Sequence, residues 1–542
     1  MKNLNSTIVF NNIKLPFDAS VQEAFSVAIQ KLRSLGLSSQ NVKPYVYKRS
    51  IDARNKQSIK FVYSIAINVN LTKEIPEEKL SKQGAVIVSE QKTEFSLGDA
   101  KLSAPPVIVG TGPAGMYAGL ILAEHGYNPI LLERGSSVNE RIEAVNKFNL
   151  THVLDKNTNI QFGAGGAGTF SDGKLVTRTN DPLSSYVMQR LVEFGAKEEI
   201  KYIAKPHVGT DVLAVIVDNI LNRIEELGGK VMYNTTFLDF KCNGDRVCSV
   251  ATDKGKIEAG ALILAIGHSA RDTYQMLLRK NLSIEAKDFS VGMRIEHLRE
   301  DIDKSLYGDF AGHPLLGPAE YNLSNNTKVR GVYTFCMCPG GEVVAATSEE
   351  FGTVVNGMSY SKRDGKNSNC AVVCSVFKED YGASPEKAIA FQQKIERAAF
   401  SAAGGEYKAP IITAGDFLRD ECKTSPCKVI PTYMNGENVT LASPKAYLPE
   451  FISDSIKNAL LAFDKKIHGF ADPKAVLTGA ETRTSAPLRI LRNNDTKLAL
   501  GYKNLYPAGE GAGYAGGITS AAIDGLKCAI ALMSEYRPII RR

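Results

Sequence analysis

Two glycine-rich stretches hold the residues whose types and spacing could do chemistry. The first is VIVGTGPAGMYAGLILAEHGYNPILLERG, from Val107 to Gly135, with Gly110, Gly112 and Gly115 in a G-x-G-x-x-G pattern. Gly110 permits a tight turn out of a strand, Gly112 lets the backbone approach a pyrophosphate, and Gly115 lets the helix pack closely on the sheet. Pro113 falls in the first helical turn, where its missing N–H costs nothing, and Ala114 follows it. The free N–H groups and positive dipole end of that helix suit phosphates. A second apolar run, PILLE, ends at Glu133, which is placed to bind ribose hydroxyls, with Arg134 next to it. The same pattern recurs at Gly163, Gly165, Gly168 and at Gly511, Gly513, Gly516, but only the Gly110 copy combines strand, helix, second strand and acid. One dinucleotide-binding domain is therefore expected.

The second stretch is LYPAGEGAGYAGGITSAAIDG, from Leu505 to Gly525. Gly509 and Glu510 follow a strand, and Gly513, Gly516 and Gly517 lead into a helix beginning near Ile518. A dehydrogenase using only NAD needs no such loop at its far end. A helix N-terminus there can stabilise the negative charge that a reduced flavin carries near N1 and O2, so the expected dinucleotide is FAD.

A flavin carries its own redox chemistry, so substrate acids, bases and clamps must come from elsewhere in the chain. Arg294 and His297 in VGMRIEH, Tyr360 and Arg363 in NGMSYSKRDG, and Arg483 in ETRTSAP are the candidates. Arginine pairs bidentately with carboxylate or phosphate, and histidine transfers protons near neutral pH. Each has a plainer reading as a scaffold ion pair or a structural hydrogen bond. Cys336 and Cys338 form C-x-C, and no cysteine pair stands close behind the first fingerprint as in a disulfide reductase. Packing thiols are the expectation. Cys370 and Cys374 have no histidine at metal spacing, so no metal site is expected.

The elements that must position these groups read as α/β. Residues 1–103 form a small N-terminal α+β domain, with a helix over Ser20–Leu35 and a β-rich run over Lys60–Asn70. Residues 104–274 hold the first part of a Rossmann-type FAD-binding domain, whose apolar strand ALILAIG ends at Gly267. Residues 275–475 are a sheet-rich α+β substrate or cap domain, with helices near Pro385–Ala399 and Phe451–Phe463. Residues 476–542 return to the FAD-binding domain, which the cap domain thus interrupts.

Composition narrows the class. A chain of 542 residues exceeds one core. It has no apolar run long enough for a membrane helix and no secretory h-region at its N-terminus. Nine cysteines without a repeated spacing do not make a disulfide framework, and a reducing cytoplasm is the expected setting. The net charge of +7 suits an anionic cofactor, and without a dense basic block it does not argue for nucleic acid.

These residues resemble a known family. The segments PPVIVGTGPAGMYAGLILAEHGY, NIQFGAGGAGTFSDGKLVTR, FCMCPGGEVVAATSE, NGMSYSKRDGKNSN, TGAETRTSAPLRILRN and LYPAGEGAGYAGGITSAAIDG look like those of the uncharacterised FAD-dependent dehydrogenases. That family is more distantly similar to flavoproteins of the p-hydroxybenzoate hydroxylase and geranylgeranyl reductase kind. The resemblance implies that Gly110, Gly112, Gly115 and Glu133 hold the ADP half of FAD. It sets Gly509 and Glu510 beside the ribityl and pyrophosphate, and Gly513, Gly516 and Gly517 near the ring. It also implies that the loop Gly163–Ser171, with Gly165, Gly166, Gly168 and Thr169, passes by the isoalloxazine. Ala164 departs from the family pattern, which has a glutamate there. The implied activity is a flavin dehydrogenase or reductase acting on a small, anionic or lipid-like molecule, with NAD(P)H or another protein as electron partner. An RNA-modifying flavoprotein and a non-catalytic flavin sensor are the alternatives. Oligomeric state stays open.

Overall fold

Apolar strands of three or four residues build the centre of the molecule. The computed structural model describes residues 4–71, 74–88, 95–177, 181–326 and 330–539. A five-stranded parallel sheet runs Leu505–Pro507, Ala261–Leu264, Pro106–Val109, Ile130–Leu132, Lys230–Met232 in spatial order. Every residue of Pro106–Val109 and Ala261–Leu264 is buried, as parallel strands covered on both faces require. The edge strand Leu505–Pro507 comes last in sequence, after the whole sheet-rich segment, so the parallel sheet is interrupted in sequence and continuous in space.

The helix Pro113–Glu124 follows the first of these strands and is apolar on all sides, since it is covered on all sides. The sheet lies under it, and Thr210–Glu226 and Ile518–Glu535 flank it. A Cβ on Gly525 would stand 2.0 Å from the Ala114 carbonyl oxygen, so the two helices touch backbone to backbone. A three-stranded antiparallel meander, Phe237–Asn243, Arg246–Thr252 and Gly255–Glu258, is inserted before the strand Ala261–Leu264.

The second large sheet has seven strands, in the order Ser324–Asn326, Gly331–Cys338, Asn367–Val376, Phe289–Leu298, Val476–Glu481, Ala409–Thr413, Val439–Leu441. All ten residues of the central strand Phe289–Leu298 are buried. Val476–Glu481 pairs directly with it, so a domain boundary at 475 falls inside this sheet rather than at its end. The physical reason is burial: VLTGAE is buried at every position and needs neighbours on both sides. The N-terminal unit is a four-stranded antiparallel sheet, Tyr45–Asp52, Lys60–Leu71, Leu4–Pro16, Ala85–Val88, with the helix Val21–Ser34 against it. Ser20 and Glu23 close a capping box at that helix's start.

One buried ion cluster ties the two large units together. Glu396, on the helix Pro385–Ala402, accepts two hydrogen bonds from Arg271 at 2.8 Å each. It also receives Arg483 Nη2 at 3.2 Å and Thr482 Oγ1 at 2.7 Å. Arg271 opens the helix that follows the parallel strand Ala261–Leu264, and Arg483 follows the cap strand Val476–Glu481. The two guanidinium groups hold the Glu396 carboxyl far below the usual range against the cost of burial. Removing it would leave two buried cations on one remaining acid, Glu349. Glu396→Ala is expected to cost about 3–5 kcal/mol, read as an earlier unfolding midpoint in urea. A loss below ~1 kcal/mol would contradict the role given to this cluster.

Candidate functional site

At the carboxyl ends of the parallel strands, Val109, Leu132, Ala265 and Ala508 open onto a cavity. This is where an open α/β sheet binds its ligand. The cavity encloses about 1480 Å³ between atoms, its mouth included.

The glycines divide by what surrounds them. Gly110 has φ +97°, and a Cβ there would meet the Ala265 carbonyl at 2.4 Å. A Cβ on Gly115 would lie 1.9 Å from the Gly110 oxygen. These two are glycine because the protein leaves no room. Gly112 differs: its φ is −65°, and its nearest neighbour would be Gly166 Cα at 3.9 Å. Gly516 has nothing within 4 Å, and Gly517 only Ser520 Oγ at 4.0 Å. Gly112, Gly516 and Gly517 all line the cavity. No protein atom forbids a side chain at these positions, so the space beside them is open to a ligand. Each stands at a helix start, before Pro113–Glu124 or at Ile518–Glu535, so two sets of free N–H donors meet one cavity. These features fit an FAD.

The third glycine loop crosses the same place. A Cβ on Gly166 would come within 3.0 Å of Gly112 Cα, and one on Gly168 within 3.2 Å of Ile518 Cγ1. Buried Arg141, from the helix Val138–Thr151, fixes this loop. It donates to the carbonyls of Asn159, Ile160, Gly163, Ala164 and Gly166. Sequence reading missed Arg141, because all its partners are backbone oxygens that no residue type announces. Ala164 is fully buried and presents no group to the cavity.

Of the expected cofactor residues, Gly110, Gly112, Pro113, Ala114, Glu133, Arg134, Gly166, Gly168, Gly267, Glu510, Gly516, Gly517 and Ile518 line the cavity. Gly115, Gly165, Thr169, Gly509 and Gly513 are not on its wall and take up packing positions beside it. Glu133 already accepts Thr111 N–H at 3.0 Å, Thr111 Oγ1 at 2.7 Å, Gly135 N–H at 3.1 Å and Gly163 N–H at 2.9 Å. It therefore ties the first and third glycine loops together. Arg134 pairs with Asp272 at 2.9 Å and lies over the Phe162 ring. Glu510 points no carboxylate oxygen at a protein donor among the described residues. Burial pushes its carboxyl up to about 7, and the Lys287 ammonium opposes this.

The five candidate chemistry residues do not gather. Arg294 spends all its donors on Glu481, Cys336 O, Asn369 and Asn356. It thereby positions Cys336 and Asn356, which do line the cavity. His297 is buried away from the cavity, bonded to the Phe470 carbonyl at 2.8 Å. Tyr360 is exposed at the surface. Arg363 is committed to Asp172 and Glu320. Arg483 alone of the five reaches the wall.

Residues that were not singled out line the wall instead: Asp172, Lys174, Gln161 and His268. Burial and the nearby Arg483 and Arg271 push the His268 ring down to about 3, so it stays neutral. The strings SDGKL and IGHSA offered a signal, since each follows directly on a glycine-containing or apolar segment. Cys336 and Cys338 reach the wall as well, Cys336 exposed and Cys338 buried, both as free thiols.

Comparison with known proteins gives the relatives. Residues 288–484 match a family described as "FAD-dependent protein, C-terminal domain-like", and residues 7–68 match a domain of unknown function. An uncharacterised protein of Clostridium beijerinckii is 43% identical over 534 residues, covering 98% of this chain and 99% of that one. Among solved structures, the flavin-dependent brominase Bmp2 is 12% identical, covers 79% of both chains and has a TM-score of 0.38. The L-amino acid deaminase of Proteus vulgaris is 11% identical, covers 83% of this chain and 97% of its own, and has a TM-score of 0.34. What those two enzymes turn over is said of them alone.

Two measurements check the cavity. Gly112→Val should give a folded chain that retains no FAD, because the branched side chain stands in ligand space and not in protein space. Stoichiometric FAD in that variant would refute the placement. In cofactor-stripped protein, the raised Glu510 carboxyl stabilises the fold in acid, and that contribution is lost as pH rises through about 7. Glu510→Gln should leave stability unchanged near pH 4 and raise it by up to about 3 kcal/mol at pH 8. Equal unfolding curves at pH 8 would contradict the burial of this acid.

Proposed function

This chain belongs to the uncharacterised FAD-dependent family that it shares with its clostridial relative, and we propose that it is an oxidoreductase passing a hydride between FAD and an organic substrate. The observation that carries this reading is one continuous cavity. It meets the N-terminus of Pro113–Glu124, the N-terminus of Ile518–Glu535, the seven-stranded sheet at Phe335, Cys336 and Cys338, and, at Asn356 and Gly357, the separate two-stranded sheet of Glu342–Ala345 and Val355–Met358. The first end offers N–H donors to a pyrophosphate, and the last offers walls to a substrate.

Bound FAD supplies two-electron redox chemistry. The chain's part is to hold, orient and keep water away. Gly112 and the N–H groups after it cradle phosphate oxygens. The Glu510 carboxyl, without a protein donor, is free to accept a hydroxyl of the cofactor's sugar chain. The start of Ile518–Glu535 turns a positive dipole end to the cavity and would favour added negative charge on a flavin held there by about 1 kcal/mol. Arg141 keeps the third glycine loop flat against the site by binding its carbonyls. Electrons reach the site from NAD(P)H entering the cavity mouth, or from another protein, because the described residues contain one parallel sheet with one complete fingerprint.

Purified protein should be yellow and release FAD, one per chain, on denaturation. Release of FMN, or of no flavin, would overturn the assignment. Anaerobic stopped-flow mixing with NADH and with NADPH should bleach the flavin in one of the two cases, or else in neither while dithionite still bleaches it fully. The first outcome identifies nicotinamide as the donor, and the second a protein partner. A flavin that dithionite cannot reduce would contradict a redox role.

A further inference from the structure

We propose that Lys174 and Asn356 form an oxyanion site in the cavity, and that the substrate presents a carboxylate to it. This rests on the reading of the cavity as a flavin and substrate site and names the class of substrate. Among the described residues three basic side chains line the cavity: Arg134, Lys174 and Arg483. Arg483 gives its Nε and Nη2 to Glu396 and its Nη1 to Ser348. Arg134 pairs with Asp272 beside the fingerprint acid, stacked on Phe162.

Lys174 is different. Its Nζ donates to Asp172 Oδ2 at 2.8 Å and to the Met337 carbonyl. An ammonium has three donors, and the third has no protein partner among the described residues. The side chain remains 30% exposed, and it lines the cavity.

The surroundings fix its charge and its position. Asp172 receives Ser359 Oγ and Arg363 Nε on Oδ1, and Arg363 Nη2 and Lys174 Nζ on Oδ2. All its acceptor sites are filled, so it serves as an anchor and cannot act as a base. Burial disfavours the ammonium, but the Asp172 carboxylate outweighs this and holds Lys174 above the ordinary lysine range. A lysine kept charged is a donor and not a proton acceptor.

A second donor lines the same cavity. Asn356 turns its Oδ1 to Arg294 Nη2 at 3.1 Å and to Gly357 N–H at 2.8 Å. This orientation leaves the Nδ2 hydrogens without a protein partner among the described residues. A fixed cation and a fixed amide donor then line one cavity with Phe335 and the thiols of Cys336 and Cys338. The acid beside Lys174, Asp172, is already committed to Arg363 and Lys174. That set recognises an oxyanion attached to an apolar body, and a carboxylic acid is the simplest such molecule.

The test uses the FAD-loaded protein, with benzoate, oxalate and acetate as probes and the visible flavin spectrum as readout. At least one probe should perturb the spectrum saturably. Lys174→Met should weaken that binding by roughly tenfold or more, Lys174→Arg should recover part of it, and Asn356→Ala should weaken it less. Arg363 still pairs with Asp172 in Lys174→Met, so the variant is expected to fold with full FAD content. Undiminished binding in Lys174→Met would overturn the proposal, as would a wild type that no probe perturbs. Loss of FAD from a folded Lys174→Met would also overturn it, by assigning the cation to the cofactor. A wild type that carries no FAD fails the broader reading instead, so the two failures are told apart.

Discussion

The close contact of two helices organises this molecule. Gly525 lets Ile518–Glu535 press its backbone onto Ala114, within the first turn of Pro113–Glu124. Any larger side chain at 525 would collide with a carbonyl, not with a movable group. The contact brings two helix starts, about 400 residues apart in sequence, to one cavity. Two positive dipole ends that converge repel each other weakly, and a phosphate-bearing ligand between them removes the penalty. The fold is thus built for an anion at its centre.

The rest of the site follows from that contact. The third glycine loop can reach both helix starts only because Gly166 meets Gly112 and Gly168 meets Ile518 without side chains between them. Glu133 and Arg141 then lock the loop, the first through N–H donors and the second through carbonyl acceptors. Across the cavity, the seven-stranded sheet is kept in place by buried ions. Arg271 and Arg483 share Glu396, and Arg294 faces Glu481. Buried ion pairs of this kind add little net stability, but they allow one geometry and penalise others.

Much of the nucleotide half was legible in the sequence because its signals are local. A strand, three glycines, a helix and an acid fall within the stretch from Val107 to Glu133, and the spacing alone carries the argument. The helices Val21–Ser34 and Thr210–Glu226 also follow from local periodicity. The sheet-rich half was less legible. Phe289–Leu298 is a fully buried strand that carries Arg294, Glu296 and His297, of which Arg294 and His297 read as candidates for chemistry. Their partners, Glu481, Thr432 and Phe470, lie far along the chain, so no local pattern reveals that they are already engaged. Lys174 was overlooked for the converse reason. Its anchor Asp172 is local, but Asn356, which lines the same cavity, lies far along the chain.

The central claim is that both helix starts serve a single FAD. Hydrogen–deuterium exchange on the cofactor-stripped chain, with and without added FAD, tests it most directly. The account predicts that FAD slows exchange together in the peptides over 112–117 and 516–522, with the same dependence on FAD concentration. Protection of the first segment with no change in the second would contradict it, and would leave the C-terminal glycines as packing elements alone.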